Sequence, residues 1–583
     1  MLEKEVDVLV IGTGGAGLRA AVAAHERGAE TLVVSKTLAG KAGCTVMAEG
    51  GYNAAIRTFD IKDSPQSHFE DTMKSGAGLS NPELVRTLAN DAPERIQDLE
   101  GYGALFSRGR GGLIGQRKMG AQSHQRTCYA GDRTGHEIVM TLLQRVRSEG
   151  IQVWNYLFAL DLIVSGGKVR GLLAFDIKRP GYVLIKSKAT ILATGGAGRC
   201  WAVTTNSFHS TGDGYMLAAR AGATMCDLEQ IQFHPTGMVY PDAARGILVT
   251  EAVRGDGGLL FGVTPEISDA LEENRRRRER GEPQLRIDPE AFGAERFMTR
   301  YDPERMELSS RDVVTRAITR EVLEGRRTRS GGVLLSVVHL DRDYVRTRLS
   351  TTYKQFKDLS GIDITQQPME VAPTAHHIMG GVVIDKDCST SLESLYACGE
   401  VVGGIHGGNR IGGNAIAEGQ VFGAIAGKSA AAAAKTVKDE GVDLLSLARE
   451  LASKHDLDLE KGGGDTRPCA IKRDLQQIMT AKAGVFREEA SLQESLAELD
   501  ALRERLTRSG VTDSSLPYSQ DVVDRFEASN MVEFSRLVVQ SAVLRRDSRG
   551  AHYRNDFPDR NDQEFGENIF VEGGTVWKAK RWS

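Results

Sequence analysis

Cysteine is scarce and dispersed in this chain. Its 583 residues carry seven (Cys44, Cys128, Cys200, Cys226, Cys388, Cys398 and Cys469), none at the close spacing of a zinc or iron–sulfur site. No metal ligand set is therefore expected. Long apolar runs are also missing, since no stretch approaches the ~20 residues that span a bilayer. Nor does one sign of charge dominate. The 74 basic residues stand against 78 acidic ones, a net of −4, which gives nucleic acid or an anionic membrane nothing to hold globally. The opening MLEKEVDVLV is acidic and runs straight into a strand, so no secretory signal is expected. A cytoplasmic protein, or a soluble subunit facing the cytosol, fits these absences.

Glycine, by contrast, is abundant at 65 residues, gathered in knots at Gly12–Gly17, Gly195–Gly198 and Gly403–Gly413. Knots at separated places suggest backbone repeatedly approaching one ligand. The first lies in VDVLVIGTGGAGLRAAVAAHERGAETLVVSK, where an apolar strand runs into Gly12, Gly14 and Gly17, then an amphipathic helix and a second strand. This is a complete βαβ unit with glycines for the turn, the pyrophosphate and the helix–strand contact. The second strand ends in Ser35-Lys36, where a simple NAD site has an acidic residue for the ribose, so FAD is left as the better dinucleotide. ATILATGGAGR and SLYACGEVVGGIHGGNRIGGNAIAEGQVFGAIAG repeat the pairing of a strand with a glycine turn. Three such ends, hundreds of residues apart, converge only if the nucleotide domain is discontinuous.

The expected insertion is residues 235–370, with the strand-like VLLSVVHL and a charged helix around ENRRRRERGEPQ. Acidic neighbours on both sides make the run Arg275 to Arg278 a solvated helix face. After Gly427 the pattern turns helical, with Leu492, Leu496, Leu499, Leu502 and Leu506 on one stripe of a small bundle. The divisions expected are 1–234 and 371–430 for the nucleotide domain, 235–370 for the insertion, 431–545 for a helical domain and 546–583 for an extended surface tail.

Five stretches hold histidine, arginine and carboxylate together: QFHPTG (His234), VTEAVRGDGG (Thr250, Glu251, Arg254), SSRDVVTRAI (Arg311), PTAHHIMGG (His376, His377) and HGGNRIGG (His406, Arg410). Each alone reads as structural. Together, beside a flavin, several cationic donors and one carboxylate suit a small dianion.

These stretches, with ACGE and DSRGAHYRNDFP, follow one another in an order that resembles the flavoprotein subunit of the succinate dehydrogenase and fumarate reductase family from end to end. The resemblance implies an α/β fold: a discontinuous Rossmann-like FAD-binding domain, an inserted α+β capping domain and a C-terminal helical domain. It implies that His234, Thr250, His376 and Arg410 hold the carboxylates of a C4 dicarboxylate, fumarate or succinate. Reduced FAD would deliver hydride from N5 to one alkene carbon, and Arg311 would donate the proton to its neighbour, resupplied through Glu251 and Arg254. Arginine is ordinarily a very weak acid, with a pKa above ~12. A second cation and a dry site favour loss of its proton. For the cofactor, Gly12, Gly14 and Gly17 would face the pyrophosphate, and Ser35 and Lys36 the adenosine end. Glu400 would lie near a ribose or ribityl hydroxyl, with Asp213 on the FAD side as well, and Thr45, Glu49, Gly50 and Gly51 would line the ring.

Two departures from the family pattern matter. Members that attach FAD covalently have histidine just before TV(A/M)AEGG, where this chain has Cys44. FAD is therefore expected to be held noncovalently, with a cysteinyl link at Cys44 as the alternative and a redox role for the thiol as a third reading. Without a covalent bond the flavin is the better electron donor, which favours fumarate reduction, and Glu49 in place of glutamine leans the same way. In RKMGAQSHQR, relatives carry phenylalanine and a glycine pair where Met119, Gly120 and Ala121 stand, so the pocket is expected to differ in shape; His124 is expected to be a surface-loop residue, with a contact to substrate as the alternative. An iron–sulfur subunit is the implied electron-donating partner, with further donor or membrane-anchor subunits possible and the ultimate donor open among quinol, thiol pair and soluble carrier. The competing readings are L-aspartate oxidase, the alpha subunit of adenylylsulfate reductase, and a flavin-binding relay subunit without catalysis.

Overall fold

The computed structural model describes residues 1–438, 441–455, 466–511 and 516–580. Strand β1 (Leu2–Ile11), helix α1 (Gly15–His25) and strand β2 (Thr31–Ser35) form the first βαβ unit. Apart from Leu2 at the open end of β1 and the partly buried Ala16, their apolar residues are buried, as a strand covered on both faces requires. The sheet continues through β3 (Gln152–Asn155), β4 (Leu157–Ser165), β5 (Lys168–Asp176) and β6 (Tyr182–Leu192) in the order β3-β2-β1-β6-β5-β4. The short strand Leu395–Ala397 also pairs with β6, in parallel. Ile11 is opposite Leu192, and Leu192 opposite Ala397, so the three glycine-rich strand ends lie side by side at one edge. Gly12 allows that approach: with φ +121°, a Cβ there would stand 2.1 Å from the Ala193 carbonyl oxygen.

A second, antiparallel sheet holds β7 (Ile231–Met238), then the strands Leu259–Phe261 and Val333–Ser336. Helix α2 (Arg311–Leu323) packs against β7, which pairs with β8 (Met369–Ile378). A separate apolar cluster, including Val249, Val253, Val314, Ile318, Leu335 and Val371, forms the core here. Two faces of one site thus come from opposite ends of the 231–378 stretch. Helix α3 (Asn414–Ala434) lies against α1. Gly423 and Gly427 make the contact close, since a Cβ on either would meet Ala16 or Ala20 backbone oxygen at 2.7 and 2.2 Å.

The leucine stripe falls on helix Glu489–Thr507, with Leu492, Leu499, Leu502 and Leu506 buried. It packs with helix Pro468–Lys482 and with α4 (Gln520–Leu544). Two expectations need correction. The stretch from 546 is not an extended surface tail: Asp547, Arg549, His552 and Arg554 are buried, and strand Asn568–Glu572 pairs with Met225–Cys226. The charges that are buried, Asp547, Arg549 and Arg554, each meet an opposite one, while Asp556, Asp559, Arg560 and Asp562 stay exposed. Arg545, at the head of this stretch, reaches Glu229 at 2.5 Å and Asp227 at 3.3 Å, and Arg554 reaches Glu489 at 2.8 Å. Residues 581–583 lie outside the described ones. The arginine run is also not uniformly solvated. Arg276 is 63% exposed, but Arg275 turns inward, stacked 4.1 Å from the Tyr240 ring centre and bonded to Glu370 at 2.7 Å.

Candidate active site

The ends of the two sheets bring the five histidine- and arginine-bearing stretches together. Arg311, the first residue of α2, donates from Nε to Glu251 Oε2 at 3.0 Å, and its Nη2 forms an ion pair with the same oxygen at 2.9 Å. Arg254 Nη2 lies 4.0 Å from the same oxygen, and its Nη1 donates to the Glu307 carbonyl at 2.6 Å. The Glu307 carboxylate is itself occupied by Arg296 at 2.8 Å. Burial opposes ionisation of Glu251, but Arg311 and Arg254 outweigh it and hold the carboxyl down at about 2. At rest the site therefore carries a carboxylate between two guanidiniums.

Gln232 joins this group to Arg410. Its Oε1 accepts from Arg311 Nη1 at 3.2 Å and from Arg410 Nη2 at 2.9 Å, while its Nε2 donates to Asn409 Oδ1 and the Arg410 carbonyl, both at 2.8 Å. A neutral amide thus holds two like charges together. Burial, with Arg311 nearby, lowers Arg410 to about 9. His234 is held through Nε2 to the Val249 carbonyl at 3.0 Å, and His376 through Nδ1 to Thr205 Oγ1 at 2.7 Å. Their rings are 5.3 Å apart. Burial first, then the neighbouring arginines, keeps both imidazoles well below their ordinary 6.5, so they are neutral at physiological pH. Thr250 sits in the chain between Val249, which fixes His234, and Glu251; its hydroxyl accepts from the Ala252 N–H at 3.4 Å. Arg254 Nε and Nη2, Arg410 Nε and His234 Nδ1 are buried without a hydrogen bond among the described residues. The guanidinium N–H groups match an anionic ligand, whereas His234 Nδ1, on a neutral ring whose Nε2–H is given to Val249, is an acceptor.

On the cofactor side, the residue before α1, Gly14, offers no side-chain cap, and beyond Gly15 the N–H groups of the first turn are left for an anion. A Cβ on Gly17 would stand 2.1 Å from the Gly12 carbonyl, so the turn needs glycine twice. Thr45 Oγ1 accepts from Gly15 N–H at 3.3 Å, which brings the 44–51 loop onto the dinucleotide turn. Thr194 Oγ1 and Gln420 Oε1, beside that turn, are buried without a hydrogen-bond partner among the described residues. Ser35 Oγ accepts from Thr13 at 3.1 Å. Lys36 is claimed by Thr211, Asp213 and Glu527 at 2.7, 2.6 and 2.8 Å, which ties α4 to the expected adenosine end. Glu400 accepts from Ile378 N–H at 2.9 Å, and burial raises it to about 7. Burial and Asp132 raise Glu49 to about 7 against the pull of Arg117. Arg117 also grips the Glu49 carbonyl at 3.0 Å and the Gly50 carbonyl at 2.5 Å. Gly51, at φ +124°, would press a Cβ to 2.5 Å from Thr127. Cys44 Sγ lies 3.2 Å from Ser210 Oγ, and burial, with Glu400, pushes the thiol up to about 11. The glycine cradle, the uncapped helix and the orphaned polar atoms suit FAD.

Gln232, Gly120 and the Asn53–Gln122–Thr127 set are bonded to or beside the pocket residues, and motif reading passes over them. Gly120 donates to Glu251 Oε1 at 2.7 Å, and Gln122 Nε2 donates to Asn53 Oδ1 at 2.9 Å and Thr127 Oγ1 at 3.0 Å. For Gln232 a signal existed in its place two residues before His234 on the same strand. His124 is part-exposed and paired with Asp60 at 2.8 Å.

A dinucleotide turn joined to this charged pocket defines an FAD-dependent oxidoreductase. The FAD binding domain model matches residues 7–416, and the model of the fumarate reductase flavoprotein C-terminus matches residues 472–577. One subunit of the fumarate reductase (CoM/CoB) of Methanothermobacter marburgensis is 44% identical over 555 residues, 95% of each chain. The succinate dehydrogenase flavoprotein subunit of Rickettsia bellii is 34% identical over 97% of this chain and 92% of its own. A variant of the E. coli quinol fumarate reductase superposes with a TM-score of 0.90 at 30% identity, over 100% of this chain and 98% of that one. The chain belongs to the fumarate reductase and succinate dehydrogenase flavoprotein family, and its cofactor is FAD. These matches do not favour the L-aspartate oxidase alternative. Among the described residues no helix is long and apolar enough to cross a membrane.

Proposed function

We propose that the protein reduces fumarate to succinate as the catalytic flavoprotein of a complex fed by an iron–sulfur subunit. The observation that carries this is the charge pattern of the pocket. Arg254, Arg311 and Arg410 surround one carboxylate, Glu251, leaving a positive excess that a C4 dianion would balance. His234, Thr250, His376 and Arg410 hold its carboxylates and draw electrons from the double bond. FAD, when bound and reduced, supplies a hydride from N5 to one alkene carbon. Arg311 gives a proton to the other carbon, and Glu251 Oε2, 2.9 Å from Arg311 Nη2, replaces it. Arg254 then resupplies Glu251; their 4.0 Å separation needs a small closing movement or a bridging water. Residues 235–370 carry Thr250, Glu251, Arg254 and Arg311, so their closure onto His376 and Arg410 would assemble the relay and exclude water.

Direction follows from Cys44. A thiol held near 11 is protonated at neutral pH and a poor nucleophile, which supports noncovalent FAD. A flavin without the covalent link is the better donor to fumarate. The 44% identical relative is named for CoM/CoB, so that couple is the physiological donor to test first. On this reading the protein works in the cytoplasm, or on its membrane face through partner subunits. The test is anaerobic turnover of the FAD-loaded chain. Succinate formation with reduced viologen should outpace succinate oxidation with an artificial acceptor, with no turnover of L-aspartate. Acid precipitation should release the flavin to the supernatant. Faster oxidation, aspartate turnover or flavin kept in the pellet on the Cys44 peptide would each count against the proposal.

A further inference from the structure

Met119 occupies a place that the proton relay and the carboxylate clamps do not use. It is buried at 7% exposure in the loop between strands Gln116–Arg117 and Thr127–Cys128. Its N–H donates to Gln122 Oε1 at 3.0 Å, and the next residue, Gly120, donates to Glu251 at 2.7 Å. The backbone is thus fixed from both sides. The side chain reaches across the pocket wall: a Cβ on Gly50 would stand 3.6 Å from Met119 Cε, and one on Gly412 would stand 3.4 Å from it. That same point above Gly412 lies 3.2 Å from Arg311 Nη2. The Met119 methyl therefore sits between the loop expected to line the flavin and the guanidinium expected to protonate the alkene.

Around it, Arg311, Arg410, His234 and His376 are each tied by hydrogen bonds. Met119 closes the wall by packing. An unbranched thioether has three rotatable bonds and fills irregular gaps at little cost, so it can turn aside where a rigid or branched side chain cannot. We propose that Met119 determines specificity by yielding to a small alkyl group on the double bond, so that the site reduces 2-methylfumarate as well as fumarate. The proposal rests on the fumarate reading above. The balance is unchanged: the double bond takes a hydride from reduced FAD and a proton from Arg311, giving 2-methylsuccinate and oxidised FAD, which two equivalents of reduced viologen restore.

The experiment compares kcat/KM for 2-methylfumarate and fumarate, as a ratio, in the FAD-loaded wild type, M119F and M119A. One methyl group in a fitted apolar pocket is worth roughly 10- to 200-fold. The wild-type ratio should lie within about tenfold of unity; the stiff ring of M119F should lower it about 10- to 100-fold, and M119A should hold or raise it. Wild type that reduces fumarate but not 2-methylfumarate overturns the inference, as does an M119F ratio equal to wild type or an M119A ratio that falls. If M119F loses its FAD, the M119A ratio decides alone. Failure on both substrates refutes the fumarate reading itself.

Discussion

Replacing Glu251 by glutamine separates the proton route from substrate binding. The carboxylate accepts two hydrogen bonds, from Arg311 Nε on Oε2 and from Gly120 N–H on Oε1, and Arg311 Nη2 pairs with Oε2 at 2.9 Å. An amide of the same shape keeps one acceptor oxygen and turns its NH2 toward a donor on the other side. It also cannot take a proton from Arg254 and return it to Arg311. Loss of a positioned acid–base group costs about a hundred- to ten-thousand-fold in rate, or roughly 3 to 5 kcal/mol of barrier. KM for fumarate should hold or fall, because removing one negative charge leaves the pocket more positive toward a dianion. The assay is succinate formation from reduced viologen, with FAD content and the fumarate-induced flavin spectrum as checks on folding and binding. A kcat within about threefold of wild type would remove Glu251 from the relay. A raised KM with kcat preserved would make it a support for the 120 loop only.

Two further predictions concern groups the mechanism leans on. Gln232→Glu puts a charge where Arg311 and Arg410 now share a neutral oxygen at 3.2 and 2.9 Å. Offsetting the clamp by about 2 kcal/mol should raise the fumarate KM roughly thirtyfold, and an unchanged KM would show that the two arginines do not bind substrate. In the apoprotein, the Cys44 thiol, raised to about 11, reacts as its thiolate only as pH climbs. Iodoacetamide labelling of the Cys44 peptide should therefore rise about tenfold per pH unit from 7 to beyond 9, with exposed Cys469 as internal standard. A plateau already at pH 8 would make Cys44 a reactive thiol and reopen the cysteinyl link.

What could be read from the sequence was whatever local pattern encodes. The strand–glycine–helix unit at 6–34 and the other two glycine ends carry their own geometry, and side-by-side placement follows from parallel pairing of β1, β6 and Leu395–Ala397. The charged motifs could be named as a group because each is a short string. Gln232 opens one of those strings, but its part in joining Arg311 to Arg410 exists only where α2 and the 403–413 knot meet over β7. The Gly120–Glu251 contact spans 131 residues and has no local signature. The stretch from 546 misleads for a related reason. Alternating arginine and aspartate looks solvated until Asp227, Glu229 and Glu489 arrive from elsewhere in the chain to bury it.

Arg311→Ala tests the central claim most directly. Its guanidinium is the proposed proton donor, while the FAD cradle and the clamps at His376 and Arg410 lie on other segments. The variant should bind FAD at the wild-type stoichiometry and still show a fumarate-induced change in the flavin spectrum. Its fumarate reductase kcat should fall by at least about a thousandfold, as expected for loss of the acid. A variant that keeps a tenth or more of wild-type kcat would contradict the account and place the proton donor elsewhere.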